Sequence, residues 1–174
     1  MSEPDLTTTP PALARVLAAA RAASLEIDVQ RHPAGARTAQ DAALAIGCDV
    51  SQIVKSLVFM ADGAAVMALV AGSNRLDAAR FAAACGATDV RRADADEVRA
   101  ATGYAIGGVP PFGHATPLRV VVDRDLTAFE TVHAAAGLPD ATFPISPGDL
   151  LRASGGTVAD IAERTGASRG ATPA

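Results

Sequence analysis

The sequence predicts an α+β fold built on a mixed β-sheet, and three observations point to it. Helical and strand-like hydrophobic periods are interleaved irregularly along the chain. Two apolar runs are joined by Asp62-Gly63, the composition of a tight hairpin. No internal repeat and no long linker divides the 174 residues, 49% of them apolar and 20% charged, so one core is expected.

Residues 1–9 are polar and threonine-rich and are expected to be a flexible N-terminus, with the domain covering 10–163 and a loose tail at 164–174. Pro10 and Pro11 open a segment with Leu13, Val16, Leu17 and Ala20 at helical spacing, which reads as an amphipathic helix ending near Ser24. Residues 26–31 alternate, Ile27 and Val29 between Glu26, Asp28 and Gln30, the pattern of a half-buried strand. His32-Pro33 and Gly35 break it. Thr38 with Asp41 three residues on forms a variant capping box for a short helix that stops at Gly47.

Residues 53–61 are apolar on both faces, as are 65–71 beyond the Asp62-Gly63 turn, so the pair is expected to be central in the sheet. Asp77 caps a helix through Phe81 to Cys85, closed by Gly86; Asp94 with Glu97 caps another that Gly103 ends. After a Gly/Pro loop, residues 119–123 are a β-branched strand. Residues 128–136 are alanine-rich, which favours helix, yet they lie between two strand-like segments, and strand is preferred. Ser146-Pro147 starts a last helix through Leu151.

Composition excludes several classes. Nothing approaches eighteen consecutive apolar residues, and the first twenty-five lack a signal peptide's basic start and apolar core, so a cytoplasmic protein without membrane contact is expected. Cys48 and Cys85 lie far apart with no CxxC spacing and no clustered histidine. They read as small buried hydrophobes, with no metal or other cofactor implied. A net charge of −4, one tyrosine and no tryptophan argue against a dedicated nucleic-acid-binding domain, so any RNA contact must be local.

Two features stand out as candidate chemistry. Lys55 shares a strand face with Ile53, Leu57 and Phe59. It either snorkels from a strand end or holds an ammonium at a cleft, to meet a phosphate or a developing oxyanion. In the stretch from Tyr104 through Gly107, Gly108, Val109, Pro110, Pro111, Phe112 and Gly113 to His114, glycines permit close backbone approach and prolines stiffen the loop. It is either a tight turn or a cradle whose amides donate to a carbonyl or ribose hydroxyl. No Ser/His/Asp or Cys/His set is legible.

The block Gln52-Ile53-Val54-Lys55-Ser56-Leu57-Val58-Phe59, the loop 107–113, Val-Val-Asp at 121–123 and the later Ala136-Gly137 resemble the YbaK/EbsC proteins and the editing domain inserted in bacterial prolyl-tRNA synthetases. The resemblance runs from about residue 38 to 151. It implies a barrel-like mixed sheet surrounded by helices, and hydrolysis of the ester of mischarged aminoacyl-tRNA by a trans-acting deacylase. The amino acid would be small and carried on tRNA for proline or a neighbouring specificity. The partner is the tRNA 3′ acceptor end carrying the misattached amino acid, with a synthetase or an elongation factor as candidate deliverer.

By the same resemblance, Lys55 meets the tRNA 3′ end, and Gly107 and Pro111 match the family's glycine-to-proline motif, which positions the ester. Hydrolysis there leans on the terminal ribose hydroxyl of the substrate. Lys55, Gly107 and Gly108 are therefore the expected catalytic positions. His32, Phe59, Val109, Pro110, Pro111, Gly113 and His114 are the expected substrate contacts. His32 matches a His-Pro pair that follows the first strand in the family; a structural role for either histidine stays open. His133 receives no role. Members that deacylate Cys-tRNA usually carry serine at the position of Pro110 and glutamine near His114, so cysteinyl specificity is not implied. The competing class is a non-catalytic module that binds an aminoacyl-tRNA 3′ end or a nucleotide-like ligand.

Overall fold

A computed structural model of the chain describes residues 9–32 and 38–164. The expected break at Pro33 and Gly35 and most of both expected flexible ends lie outside the described residues. Helix α1 (Pro11–Ala22) starts on the proline pair and buries Leu13, Val16 and Ala20 along one stripe. Strand β1 is only Gln30–Arg31. The alternation over 26–31 is real, since Ile27 and Val29 pack against the core, but pairing is confined to the last two residues.

The cause lies in its partner. The His32 amide donates to the Asp140 carbonyl, so Asp140, Thr142 and Pro144 aim their backbone groups at β1, and Pro144 has no N–H to give.

Helix α2 (Ala39–Ile46) carries the expected reciprocal Thr38–Asp41 capping box and ends at Gly47 with φ 82°. Strands β2 (Val54–Ala61) and β3 (Ala64–Ala71) form the expected hairpin. Asp62 (φ 49°) and Gly63 (φ 82°) both take the left-handed conformation that a two-residue primed turn requires. Helix α3 (Ala78–Cys85), strand β4 (Val90–Arg92) and helix α4 (Ala95–Thr102) follow, both helices capped by the expected aspartates. Strand β5 (Arg119–Asp123) runs parallel to β3.

The ambiguous segment resolves as strand, β6 (Val132–Ala135), preceded by a 3-10 turn at Arg124–Ala128. It is followed by β7 (Ala141–Ile145), by helix α5 (Pro147–Ser154), which runs one turn past the expected end, and by β8 (Thr157–Ala159). The short strands β4 and β8 escape sequence reading because three residues cannot establish a period.

The strands make two sheets, ordered β4-β2-β3-β5-β8 and β1-β7-β6. An isolated parallel bridge between Ile53 and His133 joins them. The class is the expected α+β, and the barrel-like sheet is a cleft between two sheets rather than a closed barrel among the described residues.

Both faces of the large sheet are covered. Val54, Val58, Leu69 and Val122 pack with α1 and the small sheet. Phe59, Val70, Val121 and Ile161 pack with Phe81 of α3. Cys48 and Cys85 are half-buried rather than buried, and both are free thiols. Arg164, expected in the loose tail, is held by Asp125 at 2.8 Å and by Asp160 at 2.7 Å.

Among the described residues, one carboxylate is buried completely. Asp123, at the end of β5, accepts the amides of Ala71 at 3.0 Å and Asp125 at 3.0 Å and the side-chain amide of Asn74 at 2.9 Å. Charge-assisted bonds of this kind are among the strong ones, and their loss strands several buried donors. Asp123→Ala is expected to lower stability by about 3 kcal/mol. The measurement is the urea unfolding midpoint; a shift no larger than that of an exposed Asp89→Ala control would contradict it.

Candidate functional site

Strand β2 has two outer neighbours along its length, and neither covers its first half. Antiparallel pairing with β4 spans only Phe59–Ala61 of β2, opposite Val90–Arg92. The small sheet forms backbone pairing with this stretch only at the bridge between Ile53, just before β2, and His133 among the described residues. The edge of β2 around Lys55, Ser56 and Leu57 therefore opens into the cleft between the sheets, where a cavity of about 270 Å³ forms. Its walls include Val54, Lys55, Ser56 and Val58 of β2, His133 and Ala135 of β6, Ala141 and Thr142 of β7, and Ile106, Gly107 and Val109 of the loop.

Lys55 is half-buried and does not run free to water, because its ammonium donates to the backbone carbonyl of Asn74. Burial holds its pKa below the usual lysine value; Arg92 acts in the same direction, Asp123 opposes it, and Arg75 adds a smaller push down. Asn74 is itself fixed, its side-chain amide shared between Asp123 at 2.9 Å and Asp125 at 2.7 Å. The ammonium at the cavity mouth is thus tied through one loop to the buried carboxylate.

Two polar atoms on the cavity wall are buried without a hydrogen-bond partner among the described residues: Ser56 Oγ and His133 Nδ1. Such groups are rare, because an unmade bond costs the desolvation of the group. His133, to which the sequence assigned no role, therefore belongs to the site. Its pKa is pushed down by burial first and by His32 second. It is unpaired with Ser56, so the two do not form a nucleophile–base couple. Strand alternation places Ser56 on the face opposite Lys55, and nothing local in an alanine-rich stretch signals that His133 returns to β2.

The glycine-proline loop is held rather than mobile. The Tyr104 hydroxyl donates to the Gly113 carbonyl at 3.2 Å, and Arg15 of α1 lies over the Tyr104 ring at 4.6 Å. His114 Nε2 lies 2.7 Å from the Pro110 carbonyl, which fixes that nitrogen as the protonated donor. Phe112 meets Phe143 of β7 with ring centroids 5.7 Å apart.

The two glycines differ. Gly107 (φ 94°) lines the cavity, and its amide has no partner among the described residues. Gly108 is committed: its amide donates to the Ala105 carbonyl at 3.1 Å, and a Cβ there would lie 2.8 Å from the Gly137 carbonyl oxygen. Gly137 (φ 94°) is pressed in turn against α1, where a Cβ would lie 2.8 Å from the Ala12 carbonyl oxygen. In this structure the Gly108 amide is engaged within the loop, and only a glycine lets the loop close on the β6–β7 turn.

Of the expected contacts, Lys55, Gly107 and Val109 share the cavity. His32 stands behind it, its Nε2 2.7 Å from the hydroxyl of the wall residue Thr142. Pro110, Pro111 and Phe112 are buried in the loop's support, while Gly113 packs toward Ala19 and His114 braces the loop; none of these lines the cavity. Phe59 faces away, against Phe81 at 5.1 Å, and lines a second groove shared with Lys55.

The family whose description is aminoacyl-tRNA editing domain is matched over residues 33–153. The protein YwhH of Bacillus subtilis (strain 168) is 35% identical over 126 residues, covering 72% of this chain and 80% of that one. A proline-tRNA ligase of Xanthomonas oryzae pv. oryzae (strain MAFF 311018) is 33% identical over 125 residues; the match takes in 72% of this chain but only 22% of the ligase. Among solved structures, a candidate trans-editing enzyme for prolyl tRNA synthetase superposes with a TM-score of 0.86 at 44% identity, covering 90% of this chain and 100% of that one.

Burial of the His114 ring lowers its pKa from 6.5, against the opposing pull of the Pro110 carbonyl, and His133 is lowered as well. For a histidine depressed in the folded state, the unfolded chain binds the extra proton. This contribution is therefore complete above pH 6.5 and is lost as pH falls through the lower folded value. The thermal midpoint is expected to drop as acid is added below pH 6.5, and to drop less in His114→Gln. Parallel curves for the two proteins would remove His114 from the account.

Proposed function

The chain belongs to the aminoacyl-tRNA editing domain family, and from that premise we propose that it is a trans-acting deacylase that hydrolyses the ester between a small, misattached amino acid and the 3′ end of tRNA. The observation that carries this reading is the convergence of Lys55 and Gly107 on one cavity between the two sheets. The likeness to proline-tRNA ligases favours tRNA for proline as the RNA, with a synthetase or an elongation factor delivering it.

In this reading the amino-acid side chain enters the cavity past Val54, Val58, Val109, Ala135 and Ala141, which select by size. Size selection separates neighbours by only about 1–3 kcal/mol per methylene, the reason a second site is needed after synthesis. Ser56 Oγ and His133 Nδ1 take up the polar groups of the aminoacyl moiety, gaining the partners they lack. Lys55 neutralises charge at the RNA terminus, and the Gly107 amide donates to the ester carbonyl as negative charge develops on it. With no nucleophile–base couple, the attacking group is water, assisted by the neighbouring hydroxyl of the terminal ribose. The bond broken is the acyl C–O bond; the amino acid leaves as a carboxylate and the ribose oxygen regains its proton.

Deacylation of a panel of mischarged tRNAs by the purified protein tests the reading. One positive fixes substrate and class, whereas binding of aminoacyl-tRNA without turnover would make the chain a recognition module. Lys55→Ala is expected to reduce single-turnover cleavage by about 100-fold, or about 2.7 kcal/mol, in a folded protein. Wild-type rates in Lys55→Ala would place the site elsewhere. A substrate ending in 2′-deoxyadenosine, with the amino acid on the 3′ oxygen, is expected to react far more slowly. Equal rates on the deoxy and ribo substrates would instead point to His133 as a general base, since burial keeps it neutral and it lines the cavity.

A further inference from the structure

Lys55 has a second side. Beyond it lies an open groove of about 490 Å³, lined by Leu57, Phe59, Arg75, Leu76, Arg92 and Glu163 among others. Lys55, Leu57 and Arg92 line both this groove and the cavity, so they form a sill between the two.

The two arginines on the groove are not spent on the fold. Arg75 and Arg92 are exposed, and neither has a carboxylate within ion-pair distance among the described residues. The contrast with their surroundings is sharp. Arg91, adjacent to Arg92 on the opposite face of β4, is held by both oxygens of Glu97 at 2.9 Å, and Arg80 is paired with Asp160 at 2.9 Å.

The loop that carries Arg75 is nonetheless rigid. The Arg75 carbonyl accepts the Glu163 amide at 2.8 Å, Leu76 bridges to Ala162, and the Asp77 amide donates to the Ile161 carbonyl at 2.8 Å. Both arginines act electrostatically on Lys55, so three positive charges face one concavity in a chain whose net charge is −4. Like charges gathered without ion-pair partners are costly unless an anion joins them. Half-buried Leu57 and Leu76 give the groove an apolar floor suited to a base, and Glu163 is an acceptor for a sugar hydroxyl or a base amino group.

We propose that this groove binds the RNA backbone immediately 5′ of the aminoacylated nucleoside, with Arg75 and Arg92 as ligands of the phosphodiester and Lys55 on the sill between ester and backbone. The proposal rests on the deacylase reading above and adds the path of the RNA strand to it. It also explains how an acidic chain recognises RNA at all: the contact is one strand end over three cations, not a basic face.

The test compares two substrates with the same ester, an aminoacylated RNA minihelix and a 3′-O-aminoacyl-adenosine that has no phosphate. Arg75→Gln and Arg92→Gln are exposed changes. Each is expected to lower kcat/KM on the minihelix about tenfold, mainly through KM, with a loss at least fivefold smaller on the aminoacyl-adenosine. The slope of log kcat/KM against log salt on the minihelix should become shallower by about 0.7 for each arginine removed, the counter-ion release of one single-strand phosphate. Equal losses on both substrates, or an unchanged slope in the double variant, would overturn the groove assignment while leaving the deacylase intact. If the wild type cleaves neither substrate, the deacylase reading fails. The groove is then judged by fluorescence titration with the uncharged minihelix: weaker binding by the double variant supports it, and equal affinity overturns it.

Discussion

A buried carboxylate sets the position of the candidate site. Asp123 takes three donors at the end of β5, from the β3 terminus, from the Asn74 side chain and from the 3-10 turn that follows it. Asn74, locked in this way, offers its carbonyl to Lys55. A lysine on an apolar strand would ordinarily extend toward water. Here the carboxylate behind the loop and the carbonyl in front hold the ammonium at the boundary of two concavities. The Asp125–Arg164–Asp160 ion pairs close the same network from outside, tying the end of the described chain to it.

The second constraint is the unfinished edge of β2. A strand edge left unpaired is a liability, and most proteins cover it. In this fold β4 covers only the far half of the strand, and the small sheet pairs with it at one bridge among the described residues, so the remaining edge becomes the wall of a cleft. The glycine-proline loop then roofs it. That roof depends on contacts that tolerate no side chain: Gly108 on Gly137, and Gly137 on the first turn of α1. Helix α1 thus shapes the cavity without lining it, through Ala12 beneath the turn and Arg15 over Tyr104.

The arrangement suits a family that edits aminoacyl-tRNA. An editing site has to examine a small group at the end of a very large molecule. In the proposed reading, the cavity between the sheets judges the amino acid, and a short, charged surface beside it meets the nucleic acid. Dividing the two at the sill of Lys55, Leu57 and Arg92 would let both parts of the substrate be read by residues from one strand and its neighbours.

The sequence by itself determined the local elements, because capping and tight turns depend on residues within four positions of each other. The Thr38–Asp41 and Asp94–Glu97 boxes, the Asp62-Gly63 turn and the glycine stops are examples. It also exposed Lys55 as an anomaly, since a charge in an apolar alternation shows without any partner. Tertiary structure decided what those signals could not carry. Strand β1 is cut short by Pro144, a residue more than a hundred positions away that has no N–H to offer. Gly108 is a glycine because Gly137 lies against it, and His133 joins the site because β6 returns to the start of β2. Arg75 and Arg92 look like any surface arginines until folding sets them over one groove with no carboxylate within ion-pair distance among the described residues. Each of these depends on chain closure over long separations, where the contact is made by packing and backbone pairing and leaves no period, cap or spacing in the local sequence.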